Sequence, residues 1–387
     1  MNMAYRWTAI LTSNVHNSSF LCTQTQNNFF LTCPPDPDLQ LLVRNKTFQM
    51  KLNRNRGKNA LVAVIIFFLL FRQLYVIKII EAWLQLGGSG DTTNKDHPGC
   101  ALLFFGLVVE FESLVYPSIK RHILDRNPDC DIFLHTYNIT TLPYNPRNGG
   151  NSDGALLNVS QVTQLTSEEG HVQFESMDSF FQHRQGDLDR TRVNYSNVWG
   201  ECCISHDNMI KQWHSIKAVW DLMEAHADKE QKKMSSSTTQ EGPYYEHVGF
   251  FRLDVYYVAP IDISNSIAVI PDFANWPIND RLFYGKYTFA EMWANRFRFV
   301  PTFEKNYMGG GGLHSETFLQ NLLEHHEIPY EESPDICFLR VRSAPRRVLL
   351  DDCRDNPSGK FEFENWDQIH KLAPEIDVSL VPNARKG

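Results

Sequence analysis

The sequence predicts an α/β fold, a mixed, largely parallel sheet flanked by helices, preceded by one N-terminal transmembrane helix. Three observations predict it. Two apolar runs, CALLFFGL at 100–107 and DIFLHTY at 131–137, lie on either side of a helical pattern. A strand, a helix and a strand in that order make a βαβ unit, whose natural product is a parallel sheet. A third apolar run at 248–251 ends in Arg252 and Asp254. Finally, a basic run at 50–59 directly precedes the most apolar stretch of the chain.

Composition narrows the possibilities. At 387 residues the chain exceeds one average domain, and setting both ends aside leaves a globular region of about 250 residues, 99–343. A net charge of −8 leaves no basic footprint, so the composition argues against nucleic-acid binding. Aromatic content of 12% favours a folded core over disorder. Eight cysteines show no C-x-x-C pair; six follow the apolar segment, an even number that suits luminal disulfides, with buried thiols as the alternative.

Residues 1–49 are polar and Asn-rich, without sustained periodicity, and residues 1–59 read as a largely disordered cytosolic segment. Met50 opens MKLNRNRGKN, the order of a targeting signal that begins at its own methionine, so Met50 reads as the translation start. Residues 60–80 reach the length of a spanning helix when carried through Arg72, at a cost of about 2.5–3.5 kcal/mol that snorkelling lowers. The basic cluster before this helix places the N-terminus in the cytosol and the rest in the lumen. A signal-anchor is the first reading, a cleaved signal peptide the second. Residues 81–98, rich in Gly, Ser and Asp, suit a stem. Sequons at Asn138, Asn158 and Asn194 agree with a luminal domain.

The run 100–107 fits a buried parallel strand, 111–124 a helix kinked or re-started at Pro117, and 131–137 a second strand. The turn at Gly106 is where a nucleotide meets such a sheet, although no G-x-G-x-x-G is present. His135 stands near the end of the second strand, where a histidine is more often structural or solvent-exposed than catalytic. Residues 145–170 read as an insertion, 203–227 as an amphipathic helix, and 229–242 as a solvated loop.

The stretch 244–291 organises the rest. Arg252 and Asp254, two apart at a strand end, share one face, which in an open α/β sheet looks into the ligand crevice. About 25 residues on, after a short strand at 267–270, come Asn279, Asp280 and Arg281. Two charged clusters in such positions are costly to bury unless paired or liganded, so they mark a site or a structural ion pair. Beyond them, 288–297 reads as a helix and MGGGGL at 308–313 as a hinge or a phosphate cradle. In the helix at 314–327, Ser315 suits the N-cap and Glu316 the first turn. The adjacent His325 and His326 make a poor metal pair. Arg340 and Arg342 lie two apart on a last strand, where they suit a diphosphate or a solvated edge. Residues 344–387 show no sustained pattern.

In this order the anchor, CALLFFGL, CDIFLHTY, the helix from Gln212 to Leu222, GFFRLDVYYVAPID, INDRLFYG and GLHSETFL…FLRVR resemble eukaryotic glycosyltransferase-like proteins, distant members of the GT-A nucleotide-diphospho-sugar transferase group. The likeness covers residues 99–343, and R-L-D at 252–254 and N-D-R at 279–281 are its most specific parts. It implies a single Rossmann-like sheet, a nucleotide-sugar donor, a glycan or glycoprotein acceptor, and type II topology in the Golgi or endoplasmic reticulum membrane. It also implies Mn²⁺ or Mg²⁺ on a D-x-D, but Arg252 takes the first acidic position and leaves Asp254 as the sole metal ligand. By this likeness Gly106, His135, Arg252, Asp254, Arg281, Arg340 and Arg342 contact the donor, and Asp280 and Glu316 are the candidate catalytic carboxylates. A non-catalytic luminal protein binding glycans or partners is the alternative, and no G-x-S-x-G or H-E-x-x-H supports a hydrolase.

Overall fold

Continuous apolar strands need cover on both faces, and the computed structural model of the chain provides it. It describes the backbone of five short strands between residues 8 and 52. From residue 99 to 377 it describes the chain apart from 142–156, 167, 169–170, 194–202, 235–241, 265–266, 307–312, 343–346, 354–355, 359 and 362–365. In β1 (Cys100–Gly106), Leu102 and Phe104 face one hydrophobic cluster while Ala101, Leu103 and Phe105 face another, as the two-residue period of a doubly covered strand requires. β2 (Asp131–Tyr137) runs parallel to β1, with Ala101 opposite Asp131, so the expected βαβ unit forms. Its crossover is a π-turn, Phe111–Val115, followed by α1 (Tyr116–His122), which starts afresh with Pro117 in its first turn, where a missing N–H costs nothing.

β3 (Val172–Glu175) adds to β2 in parallel, and β4 (His247–Arg252) lies parallel on the other side of β1. After β5 (Val255–Tyr257) come β6 (Ala268–Pro271), β7 (Phe283–Lys286) and β8 (Glu331–Ser333), which complete a seven-stranded sheet of order β8-β6-β7-β4-β1-β2-β3. β7 is antiparallel to both its neighbours, so the sheet is mixed. Against one face lies α3 (Ile204–Met234), whose Trp213, Ile216, Val219, Trp220 and Met223 are buried. It runs well into the stretch expected to be a loop, because lysines and glutamates there are good helix formers without an apolar stripe.

α2 (Met177–Arg192) was not anticipated: Phe180, Leu188 and Thr191 are its buried residues, too few to set a visible period. α4 (Tyr287–Ala294), α5 (Val300–Asn306) and α6 (Ser315–His325) follow in order. The last strand, β9 (Phe338–Arg342), sits between β5 and β10 (Arg347–Leu349) in a second, antiparallel sheet, where the resemblance implies a single one.

Residues past 343 pack into this region. Val348, Cys353, Ile369, Ala373 and Ile376 are buried in the same core, the last three from α7 (Trp366–Leu372) and the turn after it. Cys337 bridges to Cys353, and Arg121 forks Glu375 at 2.8 and 3.0 Å. A second disulfide, Cys100–Cys130, joins the starts of β1 and β2.

The N-terminal unit, Met1–Thr93, is separate. Where no regular structure was expected, Thr8–Ser13, Ser18–Gln24 and Leu31–Thr32 form an antiparallel sheet, and Leu39–Arg44 pairs with Thr47–Leu52 across a two-residue connection. Their apolar residues come in runs too short for a period to stand out in the sequence. The anchor at 60–80 and the stem at 81–98 lie outside the described residues. Among the described residues, no helix is long and apolar enough to cross a membrane.

Candidate functional site

The carboxyl end of β4 gathers most of the charged residues that the sequence marks. Arg252 ends the strand opposite Phe105 of β1 and forks Asp254 with two bonds of 2.7 Å. Arg342, from β9, brings its Nη1 to 3.6 Å from the same carboxylate. Burial pushes the Asp254 carboxyl up, yet Arg252, Arg342 and Arg340 hold it below the ordinary aspartate value. Burial lowers Arg342 to about 10, which Asp254 opposes. Its Nη1 donates to the Val341 carbonyl, and its Nε has no hydrogen-bond partner among the described residues.

Helix α3 carries the connection onward. Arg252 donates to Gln212 Oε1 at 3.3 Å, and Gln212 Nε2 donates to Asp280 Oδ2 at 3.4 Å. The Ser315 hydroxyl also donates to Asp280 Oδ2, and Trp213 Nε1 donates to that hydroxyl at 2.9 Å. Ser315 thus spends its side chain on Asp280 and caps nothing; His314 occupies the N-cap position. Glu316 does sit in the first turn of α6, buried, with Arg281 Nη2 at 3.5 Å. Burial and the Asp280 carboxylate raise Glu316 to about 8, against the opposing pull of Arg281. Fully buried Arg296 is lowered to about 10 by burial, with Asp280 opposing, and lies against Trp293 with its guanidinium 4.8 Å from the ring centre.

Three of the sequence's donor-contact residues are elsewhere or already engaged. Arg340 forks Asp352 through Nε at 2.8 Å and Nη2 at 2.5 Å, a partner from the stretch that showed no pattern. Gly106 has φ +103°, which only glycine adopts cheaply; its N–H donates to Ser215 Oγ and its carbonyl accepts from Thr136. It shapes the strand end, and the space beside it is open. His135 is 0% exposed, with Nδ1 2.8 Å from Ser215 Oγ and Nε2 3.1 Å from Glu175 Oε2, so both ring nitrogens are engaged inside the protein. It shares the α3 face of the sheet with Arg252, since both stand opposite Phe105, but it lies directly beneath Ser215 of α3.

Glu175, His135 and His214 are grouped closely enough to hold a cation. His214 Nε2 lies 2.5 Å from Glu175 Oε2, and Ser179 Oγ donates to Glu175 Oε1 at 2.8 Å. Burial pushes Glu175 up, but these hydrogen bonds, from His135, Ser179 and His214, hold it far below the ordinary glutamate value. The hydrogen-bond directions decide against a cation. Arg184 Nε, which can only donate, meets His214 Nδ1 at 2.9 Å. The ring proton therefore sits on Nε2, the atom a metal would need bare, whereas metal-bound histidines donate from the other nitrogen. Asp254 does not fit a cation either, because both its oxygens are engaged by Arg252 and a second guanidinium stands beside them. The divalent metal implied by the resemblance has no fitting ligand set among the described residues.

Gln212, Ser315, Arg296 and Asp352 had no signal of their own as site residues in the sequence. Of the sequons, Asn138 and Asn158 are exposed, and Asn194 lies outside the described residues.

No protein-family profile matches the chain, and no curated protein does. Among solved structures, it is similar to the galactosyltransferase LgtC in complex with donor and acceptor sugar analogues. That match has 10% identity over 60% of this chain and 74% of that one, with a TM-score of 0.31. An active-site mutant of LgtC matches at 10% identity over 58% and 69%, with a TM-score of 0.28. Both superpositions are shallow, and the reading of the site rests on its own geometry.

Proposed function

We propose that the chain is a membrane-anchored luminal glycosyltransferase that moves a sugar from a nucleotide-sugar donor to a glycan or protein acceptor. One observation carries the reading. At the carboxyl end of a largely parallel sheet, arginines and two carboxyl groups of unlike environment meet: Asp280, held by Ser315 and Gln212, and Glu316, raised to about 8. Glycosyl transfer by inversion needs a cation for the departing diphosphate and a base for the acceptor hydroxyl. Arg252 and Arg342 supply positive charge, and Glu316, in the working range of a general base, receives the acceptor's proton. Asp280 orders the site through Ser315, and Arg281 orients Glu316.

Membrane anchoring at 60–80 and residence in the Golgi or endoplasmic reticulum belong to the same proposal. The disulfides Cys100–Cys130 and Cys337–Cys353 and the exposed Asn138 and Asn158 support a luminal setting. Glycosidase treatment of the native protein should lower its mass; an unchanged mass counts against the lumen.

The engaged state of Asp254 favours a second reading, a luminal binding protein on the same fold. A thermal-shift screen against UDP-, GDP- and CMP-sugars separates the two. A donor at 100 times its dissociation constant stabilises the fold by about 2.7 kcal/mol. Release of free nucleotide, lowered about 10²–10⁴-fold by Glu316→Gln, is the expected transferase result. Folded protein that binds no nucleotide-sugar would move the assignment to the binding module.

A further inference from the structure

The site holds more positive charge than its own carboxylates balance. Arg252 and Arg342 share one aspartate, Asp254. Arg281 leans on the Glu316 carboxylate at 3.5 Å. Arg296 is fully buried, and neither of its terminal nitrogens has a hydrogen-bond partner among the described residues. Four guanidiniums thus stand against three carboxyl groups, Asp254, Asp280 and Glu316; buried charge in excess of its counter-charge is strongly destabilising, so the surplus calls for an anion.

We propose that Arg252 and Arg342 are the counter-charge for a diphosphate, holding it at the carboxyl end of β4 without a divalent cation. The identity of the anion rests on the transferase reading; the anion site itself does not. Asp254 occupies the place that an oxyanion would take: its oxygens accept a two-bond guanidinium fork, the geometry that also suits a phosphate. The buried Nε of Arg342 is a donor still to be used. In the transfer step, the bond from the sugar's anomeric carbon to the diphosphate oxygen breaks and its electron pair stays on that oxygen. The acceptor oxygen bonds to the carbon and its proton passes to Glu316. The leaving group thereby gains one negative charge, and two fixed guanidiniums stabilise it as it develops.

The experiment is calorimetric titration of the full chain with inorganic pyrophosphate and with UDP, in EDTA and in MnCl₂. Binding in EDTA is expected, weakened at least about tenfold by Arg342→Gln, the size of one charge-assisted hydrogen bond. Asp254→Asn should tighten binding, because it removes the carboxylate that competes for the arginines; loss of a metal ligand would abolish it. Arg342→Lys keeps the charge but loses the Nε donor and should weaken binding less than the glutamine. Circular dichroism confirms the fold of each variant.

Binding that appears only with Mn²⁺, or unchanged affinity in both folded Arg342 variants, overturns the proposal. So does loss of binding in folded Asp254→Asn. Nucleotide-sugar binding that needs Mn²⁺ would sink the arginine site and leave the transferase standing. Pyrophosphate binding without any nucleotide-sugar binding would do the reverse.

Discussion

Glu316 is the residue whose surroundings say most. Its folded-state value of about 8 stands above the ordinary 4.5 because burial and Asp280 both disfavour its charge. A carboxyl raised in the folded state contributes stability that is complete below pH 4.5 and lost as pH rises through 8. Glu316→Gln, which cannot ionise, should therefore melt like the wild type at pH 5 and at a clearly higher temperature at pH 8.5. Equal midpoints at both pH values would show that Glu316 ionises freely. Glu175 is the opposite case, a carboxylate held charged by its neighbours. Glu175→Ala leaves the two buried histidines without their acceptor and should cost about 1–3 kcal/mol for each group left unsatisfied, in chemical denaturation. A loss under 1 kcal/mol would mean that the cluster reorganises.

Among the elements, α3 does the most to assemble the site. Gln212 and Trp213 point toward Asp280 and Ser315, while His214 and Ser215, one step further around the helix, serve Glu175 and His135. A single amphipathic helix thus separates a crevice of charges from a closed hub. Its apolar stripe was readable in the sequence, since Ile210, Trp213, Ile216, Val219 and Trp220 keep helical spacing. The role of Gln212 was not, because a glutamine beside such a stripe looks like any solvated position. The pair β9–β10 is tied by Cys337–Cys353, two cysteines 16 apart in sequence. Cys353→Ser should lower stability by about 3 kcal/mol. An unchanged midpoint would mean that the loop is already confined by Arg340–Asp352.

At the scale of the molecule, residues past 343 complete the core. A chain of 94–343 should fail to fold cooperatively, while 94–387 melts in one transition. Cooperative folding of the shorter chain would restore the boundary at 343. The strands β1, β2 and β4, the crossover re-started at Pro117 and the pairing of Arg252 with Asp254 were determined by the sequence alone, because they rest on local period and on residues two apart. Tertiary structure decided the rest. It placed β9 in a second sheet, enclosed His135 and turned Ser315 from a cap into a partner of Asp280. It also brought Asp352 to Arg340 and Glu375 to Arg121. Each of these joins residues that are distant in the chain, or assigns a polar side chain to one of two faces. Neither leaves a period in the sequence, because a buried charge is positioned by the partner that satisfies it.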